Sequence, residues 1–157
     1  MRRKDNEVVD ANKIDEIIER CECLRIGLID GKSVYIVPVN FGYSNEDGQR
    51  IFYFHGVNVG KKKELILENG YAGFEMDTNL RLIEREKACE YSYAYQSIIG
   101  NGPIEEITEF EEKIHALDIL MKHYSEKEGF EYPEAVVKKL FIFKLVVKEL
   151  TCKESTK

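Results

Sequence analysis

The chain has 157 residues, enough for a single domain over 1–157 that buries about two-thirds of its surface without disulfide or metal staples. Acids outnumber bases 29 to 23, a formal charge of −6, which argues against broad nucleic-acid binding because phosphate-backbone contacts need a basic face. No apolar run approaches the ~18 residues of a membrane span, and the basic start MRRKDNEVVD has no apolar segment behind it, so a cytoplasmic protein without a membrane anchor is expected.

Asp10 is placed to cap a helix over 11–20, in which Ile14, Ile17 and Ile18 share one face. A strand over 23–30 follows, then a two-residue turn at Gly31-Lys32 and a longer returning strand over 33–43. Pro38 has no amide donor, which places that strand at an edge or a bulge. The NEDG segment (45–48) predicts a turn, and QRIFYFHG (49–56) a third strand. A glycine-bounded turn over 56–60 leads into a helix near 60–68, closed by Asn69-Gly70. YAGFEMDT (71–78) predicts a fourth strand and 80–91 a polar stretch that includes a loop. The strand over 93–107 is long, and Gly100, Gly102 and Pro103 should bend it or make a bulge there. Thr108 and Glu111 have the spacing of a capping box for a helix ending near Tyr124. Pro133 opens a short helix, and 141–150 closes the pattern as a last strand. Hairpins dominate the first half and no regular βαβ alternation appears, which points to a mainly antiparallel β-barrel with peripheral helices.

The four cysteines, Cys21, Cys23, Cys89 and Cys152, form no C-x-x-C pair. Reduced and mostly buried thiols are expected, and no metal site. His115 and His123 lie on one helix but not as H-x-x-x-H, so they offer no metal site either.

The residues richest in chemical implication run from Ile51 to Leu67. Lys61, Lys62 and Lys63 stand where a helix begins, and a helix N-terminus carries partial positive charge and unpaired N–H groups. Three cations there are accounted for if an anion joins them, and phosphate is the usual one. The ordinary alternative is a solvated basic patch balanced by Glu64 and Glu68. His55 ends the preceding strand, and Gly56 beside it leaves room for a ligand or another backbone. Ser97 alternates with Tyr95 and Ile99, so its hydroxyl shares a face with apolar neighbours and could bond a ligand, with Gln96 next to it. Tyr91, Tyr93 and Tyr95 make a stripe suited to half-buried sheet or an oligomer interface. No nucleophile elbow, Walker loop or dinucleotide-binding fingerprint is present.

These segments, in this order, resemble the pyridoxamine 5′-phosphate oxidase-like flavin-binding split β-barrels, and within them the 5-nitroimidazole resistance group. The resemblance is carried by MRRKD at the start, VPVNFGY (37–43), IFYFHG with GKK (51–62), FEMD (74–77), EKAC (86–89), YQSIIGNG (95–102) and LDILMKHY (117–124). It implies an antiparallel FMN-binding split barrel that forms a homodimer, with FMN (FAD being possible) in two clefts between protomers and a small-molecule substrate. It further implies that Lys61 and Lys62 hold the FMN phosphate, that Val37, Pro38 and Val39 line the isoalloxazine ring through backbone groups, and that His55 and Gly56 lie beside the flavin. Gln96 and Ser97 would reach the cofactor from the second half of the barrel. His55 is then the catalytic candidate, near ring and substrate. True pyridoxamine phosphate oxidases carry an arginine-rich substrate segment at their C-terminus; FKLVVKELTCKESTK here has no arginine. The expected activity is therefore FMN-dependent oxidoreduction of nitro compounds. The rival is a flavin- or haem-binding protein that stores or senses its ligand without turnover.

Overall fold

The computed structural model describes residues 4–156, so Met1–Arg3 of the MRRKD segment lie outside the described residues. The described chain runs β1 (Glu7–Val8), α1 (Ala11–Arg20), β2 (Leu24–Asp30), β3 (Ser33–Val39), β4 (Gly42–Glu46), β5 (Gln49–Val57), α2 (Lys61–Asn69), β6 (Tyr71–Ile83), β7 (Ser92–Glu106), α3 (Phe110–Tyr124), α4 (Glu134–Val137), β8 (Leu140–Val146) and β9 (Glu149–Ser155). The strands pair in the order β3-β2-β6-β7-β8-β5-β4, with β9 joining β7 to β1, and every pairing is antiparallel. This is the expected split barrel. The split arises in β7, whose first part pairs with β6 and β9 and whose end, Ile104–Glu106, pairs with β8.

At Gly100 and Gly102 the pairing with β6 continues without a register shift, and what calls for glycine is a close approach. A Cβ at Gly102 would lie 1.9 Å from the Val146 carbonyl oxygen, and one at Gly100 2.5 Å from that of Glu149. The chain between β8 and β9 crosses against β7 there, and only glycine permits the approach.

Alternation along the strands fills two cores. Phe52, Phe54, Phe141, Phe143, Leu24, Ile26, Phe74, Met76 and Ile98 point into the barrel, which α1 covers with Ile14, Ile17 and Ile18 and α2 with Leu65 and Ile66. On the other face of the β5–β8 pair, Tyr53 and Ile142 pack under α3 and α4 with Ala116, Leu117 and Val137. Asp10 caps α1 as foreseen, its carboxylate accepting from the Lys13 amide at 2.8 Å.

Several expectations need correction. The strand over 33–43 is two strands in different halves of the barrel. Phe41 turns inward between them, fully buried, and its amide donates to the Tyr124 hydroxyl instead of to a ladder. The segment 141–150 likewise divides into β8 and the start of β9. Val147 and Lys148 leave the ladder and donate to the Arg50 and Asn101 carbonyls. The capping box at Thr108 does not form: Glu109 occupies the cap position of α3 and no side chain caps it. The fourth strand is longer than expected, continuing to Ile83 past an irregularity between Thr78 and Arg81, and the remaining loop includes a 3-10 turn at Ala88–Glu90. Of the cysteines, Cys21 and Cys152 are buried, with thiol pKa values raised chiefly by burial to about 12 and about 11, whereas Cys23 is partly exposed and Cys89 exposed. Among the described residues no helix is long and apolar enough to cross a membrane.

Candidate functional site

β5 ends where the cover of α3 and α4 runs out. Its alternation sends Phe54 into the barrel and leaves His55 on the outer side, opposite Ile142 of β8. The His55 side chain is exposed to solvent, yet the strand and its neighbours crowd the ring. Desolvation first, and then the Lys62 charge, lower its pKa below 6.5. The imidazole is therefore neutral near pH 7, able to donate from one ring nitrogen and accept at the other.

α2 starts immediately after this corner. Gly60 at its cap has no side chain to bond the first amides, so those donors face outward unsatisfied by a cap. The three lysines that follow have three different environments. Lys61 is exposed, ion-paired with Asp30 at the end of β2 and placed over the Tyr35 ring at 5.4 Å from its centroid. Lys63 bonds the Asn58 side chain and lies over Phe141. Lys62 turns inward at the end of the barrel, its ammonium 5.5 Å from the centroid of Phe143, with no acidic partner among the described residues. Burial lowers its pKa. Gly56 makes room for it, because a Cβ there would lie 2.9 Å from the Lys62 ammonium nitrogen. A half-buried cation without a counter-ion is costly unless something anionic joins it.

The structure thus brings His55, Gly56, Lys61 and Lys62 to one corner. Val37, Pro38 and Val39 lie on β3, the edge strand of its half of the barrel, where one side of the backbone has no strand partner. Val39 is buried, Val37 partly so and Pro38 exposed, and the edge placement foreseen from Pro38 holds. Gln96 and Ser97 belong to a different part of β7. Gln96 is buried and both ends of its amide are engaged: its oxygen accepts from Asn79 and its nitrogen donates to Glu154 at 2.7 Å. It lines a cavity of about 380 Å³ with Arg81, Tyr95 and Glu154. Ser97 stands on the opposite face, between Asp77 and Lys153. Among the described residues no hydrogen bond or ring contact joins Gln96 or Ser97 to the lysine corner within one chain. No group of three or more His, Cys, Asp or Glu side chains among those residues is placed to hold a metal ion.

The sequence profile of the pyridoxamine 5′-phosphate oxidase family matches residues 10–154. The chain belongs to that family. No curated relative matches it. A solved structure of a candidate 5-nitroimidazole antibiotic resistance protein from Bacteroides thetaiotaomicron is 31% identical and superposes with a TM-score of 0.82, covering 94% of this chain and 86% of the other. A flavocytochrome from Azotobacter vinelandii, 16% identical, superposes at 0.85 over 100% of this chain and 72% of its own. An FAD- and haem-binding protein from Mycobacterium smegmatis, 15% identical, does so at 0.85 over 97% and 74%. The last two are alike in fold.

On its own geometry the corner suits an anion such as a phosphate. It offers an uncompensated ammonium, a glycine whose side-chain space that ammonium occupies, and open helix amides. The family resemblance treated Lys61 and Lys62 as a pair. Their different partners, Asp30 and the Phe143 ring, were not legible because both are distant in sequence. The one available signal for Phe143 was the FIF alternation of β8, which places Phe141 and Phe143 on the barrel side.

Proposed function

We propose that this protein is an FMN-dependent oxidoreductase acting on small nitro compounds, of which nitroimidazoles are the leading class. The observation that carries the reading is Lys62: a half-buried cation with no acidic partner among the described residues, seated over Gly56 one residue after His55, in a chain of this family. Bound FMN would supply the electron transfer. Lys62 would hold its phosphate with the first amides of α2. The edge backbone of β3 around Val37, Pro38 and Val39 would hydrogen-bond the ring. His55 would hydrogen-bond the substrate nitro group through its ring N–H, and its imidazolium form, which an anion seated on Lys62 would favour, would deliver a proton as the nitro group is reduced.

The reading includes a homodimer. Ile29, Val34, Ile36 and Ile99, each more than half exposed, share the outer face of the β3-β2-β6-β7 sheet, where Gly27 pairs with Gly73 and leaves the surface flat. A second copy would cover that face. Ser97, on the same face, would then contribute to the partner's cleft, which accounts for its separation from the lysines within one chain.

The test is an absorption spectrum of the freshly purified protein, followed by reduction and addition of a nitroimidazole. A flavin spectrum with stoichiometric reoxidation by the nitro compound is expected; a protein that binds no flavin would sink the proposal. A second reading has its own support: the two neighbours at TM-score 0.85 are named for flavin and haem. Under it, the protein stores or senses a flavin (FAD included) or haem, and the reduced protein would not be reoxidised by the nitro compound faster than free flavin.

A further inference from the structure

Lys61 and Lys62 are adjacent in sequence but differ in charge balance. Successive helix residues project about 100° apart, so the two ammonium groups diverge from the start of α2. Lys61 leans toward the β2–β3 hairpin, where Asp30 pairs with it and its ammonium lies over the Tyr35 ring. The hairpin end is itself well anchored: the Ser33 hydroxyl donates to the Asp30 carbonyl at 3.0 Å, and Asn69 of α2 donates to the Ile29 carbonyl at 3.0 Å. Asp30 is only partly exposed, so its carboxylate stays beside the first turn of α2. Toward an arriving phosphate the Lys61–Asp30 pair is nearly neutral, and the bare carboxylate oxygen repels a dianion. Lys62 alone presents an unshared charge.

We infer that Asp30 is an internal competitor for Lys61, a positioning residue that holds this ammonium off the phosphate and so sets how tightly the site takes a phosphorylated flavin. The inference rests on the flavin-phosphate reading above. The raised Lys61 pKa, due first to the Asp30 contact, is consistent with a pairing that persists in the ligand-free protein. One consequence is a distinction in kind between the two lysines. Removing Lys62 removes the principal contact, whereas removing Lys61 exposes Asp30 and adds repulsion.

The experiment is a fluorescence titration of apo-protein with FMN and, separately, with riboflavin, which has the same ring and no phosphate. Wild type, Asp30→Asn and Asp30→Ser are compared, the two replacements differing in size so that a packing defect in one is not shared by the other. Freeing Lys61 should tighten FMN binding by about two- to fivefold, the range expected of one exposed charge pair. Riboflavin affinity should stay unchanged, and added salt should erase the gain. FMN affinity that is unchanged or weaker while riboflavin is unaffected overturns the inference. Parallel changes for both ligands overturn it too, because they make the pair structural. If wild type binds neither ligand, the flavin reading itself falls, a result distinct from any change specific to FMN.

Discussion

Two regions of this protein handle half-buried charge in opposite ways. Where α1 covers the barrel, its part-buried charges, Asp15 and Lys13, have partners. Asp15 accepts from Tyr43 at 2.6 Å, from Asn45 and from Arg50 at 2.7 Å, and Lys13 pairs with Glu154, which in turn accepts from Gln96. Burial would raise the Asp15 pKa, but these three hydrogen bonds and the Arg50 charge outweigh it and hold the carboxyl below its usual value. At the β5–α2 corner Lys62 has an aromatic ring and a glycine beside it and, among the described residues, no acidic partner. A closed network fixes an element in place; an open one has binding capacity left over. On the proposed reading, the difference separates what holds the barrel from what takes a ligand.

The largest effect that would break this division is at His55. We expect His55→Ala to keep the fold and much of the flavin affinity while slowing nitro-dependent reoxidation about 10²–10⁴-fold, the usual worth of a placed proton donor. Stopped-flow reoxidation of the reduced protein measures it, and a wild-type rate would make His55 a structural residue. Next is Lys62→Ala. Losing a charge-assisted contact of about 1.5–3 kcal/mol should weaken FMN binding roughly 10- to 150-fold and leave riboflavin nearly unaffected. Equal losses for both ligands would show that Lys62 supports the barrel end instead of a phosphate.

The contrast also shows how far the sequence could be read. α1 and its cap, the Gly31-Lys32 turn and α2 were all visible, because each follows from local periodicity or from a residue with special backbone freedom. The breaks at Phe41 and at Val147 were not. Both occur within apolar runs that continue as strand on either side, and what interrupts them is tertiary: the Tyr124 hydroxyl for one, the crossing over β7 for the other. At the site, the histidine, the glycine and the lysines were legible by type and spacing. Their division into paired and unpaired was set by Asp30 and Phe143, which only the fold brings near.

The closed region gives the third expectation. Asp15→Asn removes the charge that Arg50 and Tyr43 face and should destabilise the protein by about 1–3 kcal/mol in urea unfolding. FMN affinity should be unchanged, since the network is remote from α2 in sequence and shares no hydrogen bond with it. A parallel loss of FMN binding would mean that the two regions are coupled.

The smallest effect is a pH dependence that tells the regions apart by sign and window. Asp15 and Glu154 both have lowered pKa values, so their contribution is complete above their unfolded values, 3.8 and 4.5, and is lost as pH falls through the folded ones. His55 acts higher. Its folded pKa lies below 6.5, so between the two values the unfolded chain binds more protons than the native one, and stability declines as pH falls through 6.5 toward the folded pKa. Below that the slope from His55 vanishes. Because desolvation and then the Lys62 charge cause the shift, a phosphate seated on Lys62 should raise the His55 pKa back toward 6.5 and flatten this segment. Urea midpoints at closely spaced pH values, with and without saturating inorganic phosphate, measure it, and His55→Gln supplies the baseline without the imidazole. If phosphate flattens the slope in wild type and has no such effect in His55→Gln, the anion and the histidine share one corner. A slope indifferent to phosphate in both would place the anion elsewhere.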